Sequence, residues 1–439
     1  MTPTMFVSIG IFLIAYFFIS SEIINKIIAS LCGALLMIAV GIMSEKTAFG
    51  HYVDWDVLFL LIGMMLIIGL AKQTGMFQYV AIKTAKIAKG EPVKIMLFMF
   101  VVTAVISAFL PNVTTIMIVA PVTILIATEL KISPVPFMIS QAVASNIGGT
   151  ATLIGDPPNV MIGSATGYDF MSFIYNLTPV VIIITLVSLP LSYLMFASKM
   201  KVTEESKRKI MAFNEENAIT DRGLMYKSFI VMGLLLTSFL FQGILHLEAA
   251  TLAMLAATLL MIISKYHNVE KLLTEDIEWG TIFFFIGLFI IVGGLVETGV
   301  IDKLSVLFMN STHGNMTIAS IAIVWMSGIL SAIVDNIPYV ATMIPLIKNM
   351  GAQIALMHPG MTPDQIKVMI EPLWWSLSLG ACLGGNGTLV GASANVVSVG
   401  IANKAGHKVT FWEFTKYGII YTVVSLIIST IYVYFRYLT

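Results

Sequence analysis

Between Asn146 and Asn159 the chain reads NIGGTATLIGDPPN. This polar, glycine-rich stretch interrupts the region 136–165, which is apolar at both ends and long enough to cross a bilayer as a helix. Glycine and proline open a helix and leave backbone amides and carbonyls free to bind an ion at membrane depth. We therefore interpret 136–165 as a broken helix, and 373–402, which contains GGNGT, as a second one.

The two broken helices belong to an internal repeat. A shift of 236 residues, from 148 to 384, aligns Gly148-Gly149 with Gly384-Gly385, Thr152 with Thr388, Gly155 with Gly391 and Asn159 with Asn395. Upstream, a shift of 224 residues, from 112 to 336, aligns Trp55 with Trp279, Gly63 with Gly287, Thr74-Gly75 with Thr298-Gly299, Asn112 with Asn336 and Pro121 with Pro345. Apolar composition alone would not keep Gly, Asn and Pro in register over this length.

The composition places most of the chain in the membrane. Of its 439 residues, 58% are hydrophobic and 11% charged, and the mean hydropathy is +0.94. Soluble domains carry about 25% charged residues, so a soluble enzyme, a nucleic-acid binder and a disordered scaffold are excluded. The sequence shows no nucleotide-binding loop and no metal-site spacing of His, Cys, Asp or Glu. We expect a protein that is not an enzyme and has no cofactor beyond a coupling ion.

Apolar runs of spanning length predict an all-α polytopic membrane protein. Eight uninterrupted spans are expected near 5–20, 24–43, 55–71, 177–197, 226–243, 248–264, 279–296 and 416–435. The regions 93–130 and 316–347 are each two apolar arms meeting at a polar kink, which favours a re-entrant hairpin. With the two broken helices, this gives ten transmembrane helices plus two re-entrant hairpins.

The lysines and arginines predict the orientation. With the N-terminus outside, most of the 24 Lys and Arg residues fall in cytoplasmic segments, as the positive-inside rule requires. Both termini are then outside, and the two repeats enter the bilayer from opposite faces. A span count that is wrong by one would remove this asymmetry. We expect an integral protein of a bacterial or archaeal plasma membrane.

These spans divide the chain into five parts. They are N-terminal helices (1–52), a first inverted repeat (53–197), a cytoplasmic linker (198–226), helices leading into the second half (227–277) and a second inverted repeat (278–439). Inverted repeats of this kind are typical of secondary transporters, whose binding sites lie where broken helices meet at the midplane.

The candidate site residues are polar or glycine residues of the hairpin tips and broken helices. They are Asn112, Thr114, Thr115, Asn146, Gly148, Gly149, Thr152, Asp156, Asn159, Asp335, Asn336, Gly384, Gly385, Asn386, Thr388 and Asn395. The asparagines are expected to bind ion or substrate, or to cap half-helices. The hydroxyls of Thr152 and Thr388 could equally bond to carbonyls of their own helix. The glycines are expected to supply backbone geometry.

Two acids at membrane depth are the strongest candidates. An ionised carboxylate at the centre of a membrane helix costs about 2.5–3.5 kcal/mol, so it is rare without a partner or a function. Asp156 aligns with Ala392 and Asp335 aligns with Pro111, so each half carries one acid at a different position. We assign both to Na⁺ or H⁺ coupling, with Asn112 and Asn336 as further ligands. The alternative is that the acids cap half-helices.

The motifs also resemble a known family. The run SAFLPNVTT from Ser107 to Thr115, followed by NIGGTATLIGDPPN, resembles the ion transporter superfamily, and within it the branch of arsenite permeases, sodium/proton antiporters and the melanosomal P protein. The resemblance covers nearly the whole chain. It implies a homodimer in the lipid bilayer, with a scaffold domain and a mobile transport domain that works as an elevator.

The hairpin tips depart from a more distant branch. Divalent-anion/sodium symporters carry Ser-Asn-Thr at both tips, whereas the tips here read Pro111-Asn112-Val113 and Asp335-Asn336-Ile337. The missing threonines and the added acid disfavour a dicarboxylate substrate. That branch usually has Thr where this chain has Asp156, which favours cation binding at the first site.

We therefore expect an ion-coupled secondary active transporter for a small inorganic ion or oxyanion such as arsenite. A sodium/proton antiporter is a close alternative. A passive anion channel, or a membrane subunit working with a separate ATPase, is an alternative of another class. Asp156→Asn and Asp335→Asn are each expected to abolish or uncouple transport.

Overall fold

The fold is built from helices throughout the part of the chain that the structure describes. A computed structural model describes residues 2–21, 23–266 and 268–439, and it contains no strand in these ranges. The first three helices are α1 (Pro3–Ser21), α2 (Lys26–Ala39) and α3 (Glu45–Thr47), followed by a π-helical turn at Ala48–Tyr52.

The remaining helices form two matching series joined by a connector. The first series is α4 (Trp55–Lys72), α5 (Met76–Ile87), α6 (Pro92–Ser107), α7 (Asn112–Glu129), α8 (Val135–Gly149), α9 (Pro157–Thr166) and α10 (Phe170–Phe196). The connector holds α11 (Glu204–Met211), α12 (Arg222–Leu240), α13 (Gln242–Leu245), α14 (Ala249–Ser264) and α15 (Val269–Glu275). The second series is α16 (Trp279–Glu297), α17 (Val300–Ser311), α18 (Met316–Ile333), α19 (Asn336–Met357), α20 (Pro363–Gly384), α21 (Ser393–Lys404) and α22 (Phe411–Val433).

Ten helices are long and apolar enough to cross a membrane, among the described residues. They are α1, α4, α7, α10, α12, α16, α18, α19, α20 and α22. The predicted number of spans is thus reproduced with a different membership, because α7, α18 and α19 are arms of the predicted hairpins. The predicted spans at α2 and α14 are shorter helices instead. Re-entry of the α6–α7 and α18–α19 pairs into one face of the bilayer stays a prediction.

Two helices of the series were not foreseen in the sequence. Each begins after a glycine in the left-handed region, α5 after Gly75 (φ 75°) and α17 after Gly299 (φ 73°). A β-carbon at Gly75 would also collide with the Ala218 carbonyl of the connector. The repeated Thr-Gly pair therefore marks a turn into a short helix that does not reach spanning length.

Helices outside the two predicted repeats also correspond to one another. Helices α1 and α2 match α12 and α14 in order and spacing. The division of the chain into five parts stays a prediction. The pairs exchange partners, since α2 packs on α16 and α14 packs on α4. A β-carbon at Gly287 would meet the Ser30 backbone, and one at Gly63 would meet the Ala253 backbone. These two crossings form a framework shared by both halves.

The predicted linker 198–226 contains α11 and the start of α12, which begins at Arg222. The backbone amide of Thr220 donates to the Thr74 carbonyl (3.0 Å), and Lys207 forms an ion pair with Glu91 (2.6 Å). The connector is therefore docked on the turns that flank α5.

Hydrogen bonds at the helix ends join segments that are distant in the sequence. They include Lys199–Tyr417, Lys207–Glu91 and Gln73–Tyr266, and also Ser8–Thr298, Asp54–Ser164 and Arg436–Tyr175. The alternation of the chain across the bilayer, and which face is cytoplasmic, stay predictions.

Candidate functional site

Each half joins a hairpin tip to a broken helix by the same backbone bond. The amide of Asn112, which begins α7, donates to the Gly155 carbonyl at 3.2 Å. The amide of Asn336, which begins α19, donates to the Gly391 carbonyl, also at 3.2 Å. The repeat in the sequence is thus a repeat of hydrogen-bond geometry.

Threonine hydroxyls strengthen the same junctions. Thr152 donates to the carbonyl of Ala108 at the first tip, and Thr388 donates to the carbonyl of Ala332 at the second. Neither hydroxyl bonds to its own helix, which was the alternative considered from sequence. Both residues hold the tips in place from outside the polar cavity.

The glycine pairs allow backbone segments to approach closely. A β-carbon at Gly148 would collide with the Ala104 carbonyl, and one at Gly384 with the Gly328 carbonyl. Gly149 and Gly385 lie against the carbonyls of Gly155 and Gly391 in the same way. As predicted for glycines, these four residues set geometry and present no side chain to the site.

The carboxylate of Asp156 lies where the two halves meet. Its side chain is fully buried and accepts from the amide of Asn112 (3.2 Å) and the amide of Asn336 (3.2 and 3.4 Å to its two oxygens). Asp156 occupies the N-cap position of α9, yet its side chain bonds to no backbone amide there. No cationic side chain pairs with it among the described residues. The Cys382 thiol is a further neutral partner of this carboxylate. A buried carboxylate held by neutral donors requires a proton or a bound cation for charge balance.

Behind Asp156 a chain of amides continues into the second half. Asn112 also donates to Asn146 (3.1 Å), which donates in turn to Asn386 (2.9 Å) and Asn395 (3.0 Å). All four side chains are buried. The Asn386 amide nitrogen and the buried Thr115 hydroxyl have no hydrogen-bond partner within the described ranges. The network links both tips to both broken helices.

Asn159 and Cys382 lie beside Asp156, and Cys382 interacts with both Asp156 and Asn159. Asn159 donates to the carbonyls of Thr150 and Thr152 and accepts from Ser378 (2.6 Å) and from the Cys382 thiol (3.7 Å). The shift of 236 residues places Cys382 opposite Asn146 in the repeat. The second half therefore has a thiol where the first has an amide.

Asp335 has different surroundings. It caps α19 by accepting from the Ile337 amide (3.1 Å), as the capping alternative predicted, and it also accepts from Ser393 (2.8 Å). The ammonium of Lys26 forms an ion pair with Asp335 (3.3 Å) and donates to Ser393 (2.8 Å). From the sequence, Lys26 was predicted only as one of the cytoplasmic lysines. It is the first residue of α2, and its position between two apolar runs was the only feature of the sequence that pointed to a role at the site.

A cavity of about 210 Å³ reaches the carboxylate of Asp156. From the predicted site it is lined by Asn112, Thr114, Asp156 and Asn336. The cavity is also lined by residues that were not predicted from the sequence, among them Lys26, Glu278, Thr281, Phe284 and Ser393. Glu278 and Thr281 lie at the start of α16, so the cavity extends toward the face predicted to be cytoplasmic.

A second cavity lies on the opposite face. It measures about 580 Å³ and is lined by residues that include Asp54, Met161, Gly293 and Lys348. Under the repeat, Asp54 corresponds to Glu278 and Met161 to Val397, so this cavity is the counterpart of the first. Asp156 does not line it. A hydrogen bond between Ser164 and Asp54 (2.6 Å) joins α9 to α4 at its wall.

Three comparisons place this geometry among known proteins. Residues 16–380 match a family described as "Citrate transporter". A "46 kDa membrane protein" of Mycobacterium leprae is 42% identical over 98% of this chain and 99% of its own length. The "P protein" of Homo sapiens is 29% identical over 95% of this chain and 58% of its own length. The crystal structure of the Alcanivorax borkumensis YdaH transporter is similar in fold, with a TM-score of 0.61, 11% identity and coverage of 98% of both chains.

Proposed function

The chain belongs to the citrate transporter family, and from this premise we propose that it is an ion-coupled secondary active transporter whose coupling cation binds at Asp156. Membership confirms the resemblance to the ion transporter superfamily that the SAFLPNVTT and NIGGTATLIGDPPN motifs indicated. A transporter of this family is an integral, multi-pass membrane protein. The coupling ion, the substrate and the mechanism are the proposal.

The observation that carries the proposal is the coordination of Asp156. Its carboxylate receives amide donors from the tips of both halves and has no cationic partner in the described part of the chain. Binding of Na⁺ or H⁺ neutralises the site, and its release leaves an uncompensated charge that draws water or a new partner. Binding of the cation is thereby linked to the packing of one half against the other, which is the requirement for coupled transport.

Sodium binding requires oxygen ligands in addition to the carboxylate. The side-chain amides of Asn112 and Asn336 supply such oxygens after a rotation of the amide group, and oxygen and nitrogen of an amide exchange places with little change in shape. Thr114 and the carbonyls of the open helices lie nearby. A proton needs only the carboxylate itself.

The packing supports an elevator mechanism. The site is carried by α6–α9 and α18–α21, which pack on one another within and across the halves. In the framework of α2, α4, α14 and α16, α2 packs on α16 and α14 packs on α4, with little contact to the site-bearing helices. Of the two cavities described above, the one toward the predicted cytoplasmic face is lined by Asp156 and the other is not. We assign this arrangement to an inward-facing state, in which motion of the site-bearing helices exposes Asp156 to the opposite cavity.

The charges of the cavity favour some substrates over others. Asp156 and Glu278 line it, while the charge of Lys26 is balanced by Asp335. A free multivalent anion such as citrate is disfavoured by two acids in a small cavity. A small inorganic species that is neutral or bound together with a cation, such as arsenite as arsenious acid, fits this cavity better. Sodium/proton exchange is the second candidate, because the same acids favour cations.

The test is a flux screen with purified chain in proteoliposomes. Arsenite, phosphate, citrate, a dicarboxylate and Na⁺ are each measured under an imposed Na⁺ gradient, an imposed pH gradient and no gradient, without ATP. We expect uphill flux of one species that follows one gradient and is lost in Asp156→Asn. The matched control is Asp364→Asn, which changes an exposed acid in the first turn of α20.

Other outcomes of the screen separate the alternatives. Flux that equilibrates a substrate but is never uphill indicates a passive channel. Absence of flux until a separate ATPase is added indicates a subunit of a larger complex. Wild-type coupled flux from Asp156→Asn contradicts the role of that carboxylate.

A further inference from the structure

Lys26 contacts the junction of the second half, and the equivalent position of the first half has no cation. Its ammonium lies 3.3 Å from the Asp335 carboxylate, 2.8 Å from the Ser393 hydroxyl and 5.2 Å from the centre of the Phe284 ring. A carboxylate, a hydroxyl and an aromatic face are groups that bind a monovalent cation. The ammonium of Lys26 is therefore coordinated in the way that a bound cation would be.

The first half has none of these groups at the equivalent positions. Under the repeat, Lys26 corresponds to Ala250, Asp335 to Pro111 and Ser393 to Pro157. Conversely, Asp156 of the first half corresponds to Ala392. Each junction between a tip and a broken helix thus has one carboxylate, but only the carboxylate of the second junction has a cation supplied by the chain.

We propose that Lys26 is a tethered cation that fills the second of two pseudo-symmetric cation positions, so that each transport cycle couples to one external cation rather than two. This inference rests on the proposed function, because it states how many coupling cations bind in each transport cycle. The only exchangeable position is then the one at Asp156. The charge of the second position is constant throughout the cycle.

Lys26 and its partners lie on different groups of helices. Lys26 begins α2, which packs on α1 and α16, whereas Asp335 and Ser393 lie on the site-bearing helices α19 and α21. The side chain of Lys26 is 33% exposed and that of Asp335 is 12% exposed. Lys26 and Ser393 line the cavity that contains Asp156, and together with Asp335 they also line an adjacent cavity of about 210 Å³. Removing the ammonium would leave a carboxylate that an external cation can reach.

The test counts coupling cations in proteoliposomes. Flux is measured against the concentration of the coupling cation identified in the screen, and the cation-to-substrate ratio is measured from the gradient at which net flux stops. For the wild type we expect a Hill coefficient of about one and a ratio of one. For Lys26→Gln we expect a Hill coefficient that rises toward about two, because Asp335 then binds a second cation. Lys26→Arg keeps the charge and should keep the wild-type count.

A double variant guards against loss of folding. Lys26→Gln/Asp335→Asn removes the pair without leaving a charge, and we expect it to retain coupling to one cation. Lys46→Gln, at an exposed lysine of α3, is the control for loss of a positive charge. A merely structural ion pair would lower thermal stability in Lys26→Gln without changing the cation count.

Several results would overturn the inference. They are a wild-type ratio of two, an unchanged count in folded Lys26→Gln, or loss of cation dependence in the double variant. These results leave cation coupling at Asp156 standing. Wild-type flux that depends on no cation would instead refute the proposed function together with this inference.

Discussion

The two halves of the molecule share one backbone junction and differ in the charges placed on it. In both, the first amide of a helix donates to a glycine carbonyl of a broken helix at 3.2 Å. In the first half, Asp156 has neutral donors, among them the amides of Asn112 and Asn336. In the second, Asp335 has an ammonium and a hydroxyl. This equal geometry with unequal charge is the basis of the proposal that only one of the two positions binds an exchangeable cation.

The largest expected difference between the halves is between their two acids. Asp156→Asn removes the charge that attracts the cation. The attraction between two unit charges about 4 Å apart, at an effective dielectric constant of about 20, is about 4 kcal/mol, which corresponds to about a thousandfold in affinity. The sequence alone predicted that Asp335→Asn also uncouples transport. Because Lys26 already balances the charge of Asp335, we expect this variant to lower flux and to keep its cation dependence. The measurement is the cation concentration that gives half-maximal flux. A larger shift from Asp335→Asn than from Asp156→Asn would reverse the comparison.

The next effect concerns the asparagines, which act on the same acid from opposite halves. Asn112→Ala and Asn336→Ala each remove a hydrogen bond to the free carboxylate, worth about 1.5–3 kcal/mol, so if the cation is H⁺ its affinity should rise by roughly tenfold to a hundredfold. If the cation is Na⁺, loss of the amide oxygen as a ligand should instead lower its affinity. The same flux titration measures this. Asn268→Ala, at an exposed asparagine, should leave affinity unchanged. An effect confined to Asn112→Ala would mean that the second tip does not serve the cation.

A smaller effect tests whether the two junctions are equivalent in structure. Gly148→Ala and Gly384→Ala force a β-carbon onto a carbonyl of the neighbouring helix, and overpacking of this kind costs about 1–3 kcal/mol. Both should lower the thermal unfolding midpoint of the purified protein. Gly360→Ala, where no atom lies within 4 Å of the added carbon, is the control. Midpoints equal to that of the control would show that the close approach is not required.

The smallest effect is expected from the threonines. Thr152→Val and Thr388→Val each remove one bond from a hydroxyl to a tip carbonyl, worth about 0.5–1.5 kcal/mol, and should lower the unfolding midpoint similarly. Thr258→Val, whose hydroxyl bonds to its own helix, is the matched control. Because neither Thr152 nor Thr388 contacts Asp156, cation affinity should not change. A shift in affinity for one of them would place that hydroxyl in the site.

The sequence predicted the parts of the site that depend on local signals. The alignment of Asn112 with Asn336, and of the two glycine pairs, was visible in the sequence. Where two backbone segments approach closely, glycine is almost the only residue that fits. The all-helical fold with about ten candidate spans is confirmed by the structure and the YdaH likeness, and the superfamily resemblance by the family match. Hairpin re-entry, the elevator, the homodimer and the orientation of the termini stay predictions.

The parts that the sequence could not supply depend on long-range contacts. Nothing near Lys26 indicates a partner 309 residues away. The correspondence of α1 and α2 with α12 and α14 leaves little trace, because helices that face lipid need only be apolar. Asn146 and Cys382 occupy equivalent positions with different side chains, so a search for repeated residues passes over them.

The most direct measurement is an infrared difference spectrum of the purified protein in lipid, recorded as the coupling cation is added. The carboxyl stretching band reports directly whether an acid loses a proton or gains a cation. We expect one responding carboxyl group, absent in Asp156→Asn and present in Asp335→Asn and in the Asp364→Asn control. A response that persists in Asp156→Asn and vanishes in Asp335→Asn would contradict it.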